Sequence, residues 1–260
     1  MVVDQTDRDP APAVTRALAI LDILADAAGS PMSLSELARA LGAAKSSTLN
    51  VCSALETGRL VQRRDGGYVL GRRTVELGGA YLSTFDQVRE FYRLCAESPV
   101  LSHELVQIAI LDGTEVLYLA RHEGRAPLRL SAGIGDRFPA ALTAVGNALL
   151  ALLPPDEVAI RFSRPELFPH RTDRSIASLE QLQEKLALAR ERGVAIDEGG
   201  VHPAVVGIAA AVPARQPAET SFAVGVSLVG VDADDALLST MADAVAGLAR
   251  ELTKPLHPEA

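Results

Sequence analysis

What this 260-residue chain lacks narrows its chemistry before any motif is read. It has only two cysteines, Cys52 and Cys95, in parts of the chain expected to fall in different domains. Two lone thiols without a C-x-x-C spacing exclude a disulfide framework and a thiolate metal site. The five histidines (103, 122, 170, 202 and 257) never stand at H-x-x-x-H or a comparable ligand spacing. No metal or other cofactor is therefore expected. No apolar run approaches the roughly 18 residues of a membrane-spanning helix, and there is no internal repeat or low-complexity tract. The opening residues, MVVDQTDRDPAPA, are charged and contain proline, unlike a signal peptide. Residues 1–12 are expected to be a disordered tail on a cytoplasmic protein with no membrane partner. A basic excess is missing too: the net charge is −8, so the chain has no general affinity for nucleic acid.

What is present is enough apolar material, 48% of residues, to build cores for two modest domains. The most specific stretch is 33–71. Ser33 and Glu36 make a Ser-x-x-Glu capping box, in which each side chain satisfies a free amide of the other at a helix start. Leu34, Leu37, Ala38 and Leu41 then share one helical face. Gly42 ends that helix, since a residue without Cβ takes a left-handed turn cheaply. A second helix begins around Ala44 and is expected to end at Gly58. Its inner face carries Thr48, Val51, Cys52 and Leu55, leaving Lys45, Ser46, Ser47, Asn50 and Ser53 outward. Small polar residues and one lysine suit a major groove, where short side chains permit close approach and amides or hydroxyls reach base edges and phosphates.

Arg59, Arg63 and Arg64 precede Asp65-Gly66-Gly67, a hairpin signal, and Tyr68-Val69-Leu70-Gly71 form the return strand. Arginines beside a tight hairpin make a wing able to touch backbone or minor groove. Residues 39–73 hold seven basic groups against two acidic ones, so a local positive patch stands on an acidic chain. Such a patch favours oriented, salt-sensitive docking on duplex DNA. A plain pair of helices with surface arginines is the blander alternative; the attached wing argues against it.

The remaining pattern is mixed. Val14, Ala17, Leu18, Leu21, Leu24 and Ala28 make an amphipathic helix that closes a DNA-binding unit over 13–73. Residues 74–97 are expected to be a linker helix, with a break near Ser83-Thr84. From about 98 the period changes. Glu104–Leu111 and Glu115–Arg121 form a hairpin around Asp112-Gly113, and a third strand is expected at Leu128–Ala132. Helices follow at Thr143–Leu152, after Pro154-Pro155, and over Ser178–Arg192, stopping at Gly193. Val205–Val212 and Ser221–Val229 are two more strands, and Asp232 or Asp234 caps a final helix to about Leu252. Antiparallel strands with helices between them give an α+β domain over 98–255, a cup for a small ligand.

These pieces together resemble the IclR-type transcriptional regulators, along roughly 13–252. The resemblance is carried by Arg16-Ala17-Leu18, Ser33–Leu41, Lys45-Ser46 and Tyr68–Gly71, then by Gly135–Pro139, Thr143–Ala151, Arg192–Glu198 and Ile208–Ala210. It implies a winged helix-turn-helix domain, a linker helix and a GAF-like effector-binding α/β domain with an antiparallel sheet. It also implies homodimers, often paired into tetramers as dimers of dimers. DNA contacts are implied at Arg16, Ser33, Lys45, Ser46, Ser47, Asn50, Arg59, Arg63 and Arg64. An effector pocket is implied at Leu128, Leu130, Thr143, Ala144, Val145, Asp197, Val205, Gly207, Ser227 and Val229.

The chain departs from the family pattern at several points. Asn50 stands where Arg is usual, Gly199-Gly200 replaces an acidic pair, Gly207 a common Cys, Val229 a common Ser and Ala141 a frequent His. Each pocket change is expected to make it roomier or less polar. Polar anchoring then falls on Ser227, Thr143 and the amides near Ala144-Val145, where a helix start favours an anion. The expected effector has one carboxylate or amide end and a bulky body, as in an aromatic acid or amide, rather than being a two- or three-carbon oxo-acid.

Other function classes fare worse. Gly225-Val226-Ser227-Leu228-Val229-Gly230 lacks the G-x-S-x-G spacing of a nucleophile elbow. His103 beside Glu104, or His202 near Asp197 and Glu198, could act as a general base, but such neighbours are commonplace. Gly133-Ile134-Gly135 lacks the third glycine of a dinucleotide fingerprint. An enzyme is not expected. A protein-interaction module that uses the helix pair is the other alternative to a ligand-responsive regulator, for which repression is the expected sign.

Overall fold

The computed structural model describes residues 9–85, 87–124, 132–216, 219–230 and 233–254. They divide into two compact units, Met1–Thr84 and Phe85–Ala260.

The first unit is built on three helices and a wing: α1 (Pro12–Asp26), α2 (Leu34–Ala40), α3 (Lys45–Thr57), then β1 (Val61–Arg64) and β2 (Gly67–Leu70). Its core joins Ile20 and Leu24 of α1 to Leu37, Val51, Cys52, Leu55, Val61 and Tyr68. The capping box forms at the start of α2: Glu36 N donates to Ser33 Oγ at 3.3 Å, and Ser33 N donates to Glu36 Oε2 at 2.8 Å. The Ser33 hydroxyl, which donates to Glu36 Oε2, and then the Ser33 amide hold the Glu36 carboxyl below its usual range. In the wing, Arg64 pairs with Gly67 across a two-residue turn. Asp65 and Gly66 both take positive φ (48° and 79°), the mirror-image turn whose twist matches a hairpin. A further strand-like residue escapes sequence reading. Met32 exchanges both backbone hydrogen bonds with Tyr68, at 3.0 and 2.8 Å, tying the wing to the segment before α2.

Helix α3 ends at Gly58, where the sequence placed its end. Gly58 keeps right-handed geometry (φ −74°), and the left-handed residue is Arg59 (φ +59°). Leu60 N reaches back to Leu55 O at 2.9 Å to close the helix. Helix α4 (Arg73–Leu82) follows and ends this unit; α5 (Gln87–Glu97) opens the second. The helical stretch after the wing is thus two helices, parted at the break expected near Ser83-Thr84.

Among the described residues the second unit holds a six-stranded antiparallel sheet in the order β5-β4-β3-β8-β7-β6. Its strands are β3 (Leu105–Asp112), β4 (Glu115–His122), β5 (Arg137–Pro139), β6 (Ala195–Glu198), β7 (Val205–Val212) and β8 (Phe222–Val229). One face is covered by α6 (Ala144–Leu150), together with α7 (Pro155–Arg161) and α8 (Leu179–Arg192), around a core that includes Ala109, Leu149, Phe162, Leu182, Leu186 and Ala223. The final helix α9 (Asp235–Thr253) packs on β7 and β8 and against α5. Asp234 caps it, accepting from Leu237 N at 2.8 Å. Most of the expected third strand, Leu128–Ala132, lies outside the described residues. Sequence reading missed β5 and β6, which are three- and four-residue edge strands too short to show an alternation.

Candidate nucleic-acid interface and ligand cavity

In the first unit α3 buries Thr48, Val51, Cys52 and Leu55 and exposes Lys45, Ser46, Asn50 and Ser53. The burial stripe is what turns the polar face outward. Among the described residues Lys45 makes no ion pair. Other expected contacts are already engaged inside the protein. Arg16, half-buried on α1, donates from Nη1 to Ser47 Oγ at 2.8 Å, so these two brace α1 against α3. The Ser33 hydroxyl donates to Glu36 Oε2 at 2.7 Å within the capping box. Arg63 Nε donates to Glu56 Oε2 at 3.3 Å, and its guanidinium sits 5.0 Å from the Tyr68 ring centroid. Arg64 and Arg59 form only loose, exposed pairs, with Asp65 at 3.5 Å and Glu76 at 3.8 Å. Such pairs hold a side chain weakly, so Lys45, Asn50, Arg59 and Arg64 are the groups most available to a ligand.

In the second unit a cavity of about 360 Å³ opens between α6 and the sheet. Its polar backbone is one row of cross-strand neighbours: Asp197 pairs with Gly207, and Gly207 with Ser227. Period-two alternation puts all three on the face under α6. Thr143, Ala144, Val145 and Val205 also line it. Thr143 caps α6, its Oγ1 accepting from Gly146 N at 3.1 Å.

Glycine brings the helix this close. A Cβ at Gly225 would stand 2.7 Å from Val145 Cγ1, and one at Gly207 would stand 3.1 Å from Ala144 Cβ. Gly207 therefore sets helix-to-sheet packing as well as cavity room.

Asp197 is 6% exposed. Its Oδ1 accepts from Lys185 Nζ at 2.6 Å and its Oδ2 from Gly200 N at 2.9 Å. A side chain at 200 would stand 2.7 Å from Asp197 Oδ1, so the glycine there makes room for that carboxylate.

Not every expected pocket residue reaches the cavity. Val229 lies on the Ser227 face but a row further along, opposite Val205 at the strand end, and does not line it. Ala141 is fully buried in the core beside α6 rather than on the cavity wall. Leu128 and Leu130 lie outside the described residues. Conversely, the walls include Gln107, Tyr118, Phe138, Leu142 and His202, which sequence reading did not place there. Gln107 had a visible signal, a lone amide in the apolar run Leu105–Leu111. Tyr118 and Phe138 meet edge to face at 5.9 Å. Burial first, then the Asp197 and Asp136 charges, push the Tyr118 phenol up, so it stays protonated. His202 Nδ1 accepts from Ala204 N at 3.2 Å, which leaves Nε2 as the protonated nitrogen of the neutral ring. Among the described residues no cluster of His, Cys, Asp and Glu could hold a metal ion.

A basic winged helix-turn-helix followed by a sheet domain with a ligand-sized cavity defines a transcriptional regulator with an effector-binding domain. The profile of the IclR helix-turn-helix domain matches residues 13–65, and that of the bacterial transcriptional regulator IclR C-terminal domain matches 80–253. The chain belongs to the IclR family of transcriptional regulators. It is 30% identical to the HTH-type transcriptional regulator BhcR of Paracoccus denitrificans, over 95% of this chain and 88% of that protein. The solved Agobacterium tumefaciens repressor BlcR is 32% identical, covering 95% of this chain and 97% of that one, with a TM-score of 0.59. An IclR homologue from Microbacterium hydrocarbonoxydans, solved with 4-hydroxybenzoate, shares the fold at 21% identity, with a TM-score of 0.76 over 92% and 98% of the two chains. The matched relatives are transcriptional regulators, not enzymes.

Proposed function

We propose that the protein is an effector-gated repressor that grips operator DNA as a dimer, or dimer of dimers, in the cytoplasm. The recognition helix α3 presents Lys45, Ser46 and Asn50 to the major groove, with Arg59 and Arg64 of the wing region on the flanking backbone. A small molecule in the cavity then resets the spacing of the two recognition helices. Half-sites lie about one helical turn apart, so a small rotation changes affinity strongly.

The observation that carries the ligand half is the cavity itself. Its walls are apolar apart from Gln107, Tyr118, Thr143, His202 and the row ending in Asp197 and Ser227. At about 360 Å³ it suits a ring-sized body with a carboxylate or amide end better than a two- or three-carbon oxo-acid. The 4-hydroxybenzoate complex of the Microbacterium homologue supports an aromatic acid of that size. Repression is favoured by the BlcR relative and by AllR of Klebsiella pneumoniae, a repressor 29% identical over 72% of this chain and 69% of that protein.

The test is a gel-shift titration on DNA from upstream of the protein's own gene, with excess nonspecific competitor. A discrete complex is expected, released by an aromatic acid or amide from a metabolite panel. Ser227→Ala is expected to keep the complex and lose the release. Tight glyoxylate or pyruvate binding would sink the size argument. A genome-wide selection that recovers no bound fragment would sink the DNA reading.

A further inference from the structure

Strand β3 carries one polar side chain in an apolar run, Gln107, 3% exposed on the face beneath α6. Its amide makes two hydrogen bonds. Nε2 donates to the backbone oxygen of Ala132 at 2.8 Å, and Oε1 lies 3.3 Å from Ser227 Oγ. An amide's oxygen and nitrogen are nearly alike in shape, so its orientation follows from its partners. Ala132 O can only accept, which fixes Nε2 towards it and Oε1 towards Ser227. Oε1 can also only accept, so the Ser227 hydroxyl gives its single proton to Gln107.

We propose that Gln107 is a specificity-determining residue of the cavity: by taking the Ser227 proton it turns Ser227 into a pure acceptor, so the favoured ligand brings a hydrogen-bond donor to that wall. The ligand class is a carboxamide or hydroxyl compound with an apolar ring-sized body, its N–H or O–H directed at Ser227 Oγ. This rests on the effector-cavity reading above and selects among its ligands. One neighbour on the same row agrees. Asp197, two strands along the same row, is likewise an acceptor, held by Lys185 and the Gly200 amide. Gln107 Nε2 keeps one further N–H. A carboxamide or hydroxyl can donate to Ser227 and still accept from that N–H, whereas a carboxylate placed there meets lone pairs on Ser227 and offers no proton. An acid can still bind with its carboxylate elsewhere, provided that its other end carries a donor.

Matched neutral pairs of equal size read this directly: benzamide against acetophenone, and phenol against fluorobenzene, titrated calorimetrically into the full-length protein. In each pair that binds, the donor compound is expected to bind about tenfold more tightly, the cost of leaving a buried acceptor unpaired. Gln107→Met frees the Ser227 hydroxyl to turn towards the ligand, and the preference is expected to fall below about threefold. Should that core change prevent folding, as judged by circular dichroism, Ser227→Ala keeps Gln107 in place and is expected to erase the preference as well. Equal binding within the pairs, tighter binding of acetophenone or fluorobenzene, or a preference surviving substitution would overturn the assignment while leaving the cavity an effector site. No binding by any member of either pair, nor by a wider panel of aromatic acids, amides and alcohols, would remove the effector reading and this one with it.

Discussion

Arg59 sits where glycine would be easier. Its φ of +59° lies in the left-handed region that side chains disfavour by about 1–2 kcal/mol, and its loose pair with Glu76 is too exposed to offset that. Replacement by glycine removes the strain but adds unfolded-chain entropy of about 0.5–1 kcal/mol. Arg59→Gly is therefore expected to leave stability unchanged or raised by up to about 1.5 kcal/mol, read as the urea midpoint. The same variant is expected to weaken DNA binding on every sequence, because it deletes a cation at the end of α3. A clear drop in the midpoint would show that the arginine side chain, not the backbone, dominates that corner. Asn50 makes the opposite kind of prediction. An amide can read an adenine edge with two hydrogen bonds, so Asn50→Ala is expected to relax preference at particular base pairs by about 1–3 kcal/mol each. Binding measured across a randomised operator library checks it; an equal loss on all sequences would mean that Asn50 reads no base.

Helix α6 is buried along its whole length, and its fit depends on what the strands beneath it omit. Gly225 has no room for a methyl: Val145 Cγ1 would lie 2.7 Å away, and Ala209 Cβ and Ile208 O each 3.2 Å. A β-branched side chain in a helix has one strongly preferred rotamer, so Val145 cannot swing aside. Gly225→Ala is expected to cost about 1–3 kcal/mol by chemical denaturation, the usual penalty for overpacking a core. Adding Val145→Ala removes the clashing atom, so the double variant is expected to be more stable than the sum of the two single losses, the signature of direct contact. Additive losses would mean that the helix moves as a body instead.

The same helix shows how far the sequence could be read. Cap, helix and turn signals are local, so Ser33–Glu36, the stripe on α3, Asp65-Gly66 and Gly193 were all legible in order. The row Asp197–Gly207–Ser227 became visible only through family resemblance. Gln107, Tyr118 and Phe138 come from β3, β4 and β5, and no local rule says which apolar strand residues share a wall. The left-handed Arg59 carries no such signal: Gly58 marks the end of α3 in the sequence, while the positive φ falls on the residue after it.

Across the whole chain, charge separates where DNA can bind from where it cannot. Residues 39–73 hold seven basic and two acidic groups, a net +5 within a total of −8, so the remainder carries −13. Attraction to phosphate therefore comes from one segment, and the rest of the chain adds none. Arg63, tied to Glu56 and the Tyr68 ring, is more a brace of the wing than a free cation. Lys45 is the reverse, exposed and outside any ion pair among the described residues. Each phosphate neutralised contributes about −0.9 to the slope of log binding constant against log salt. A dimer that uses Lys45 together with one or more wing-region arginines from each copy is expected to give a slope of about −4 or steeper, measured by fluorescence anisotropy between 50 and 200 mM salt. Lys45→Ala is expected to flatten it by about 0.9 per copy and to weaken specific and nonspecific DNA in the same proportion. If the slope stayed put while affinity fell, Lys45 would be acting on a base edge and the phosphate contacts would have to lie elsewhere in the basic segment. If the slope were near zero, the positive patch would not be the docking surface at all, because no neutral contact set reproduces the release of bound counterions.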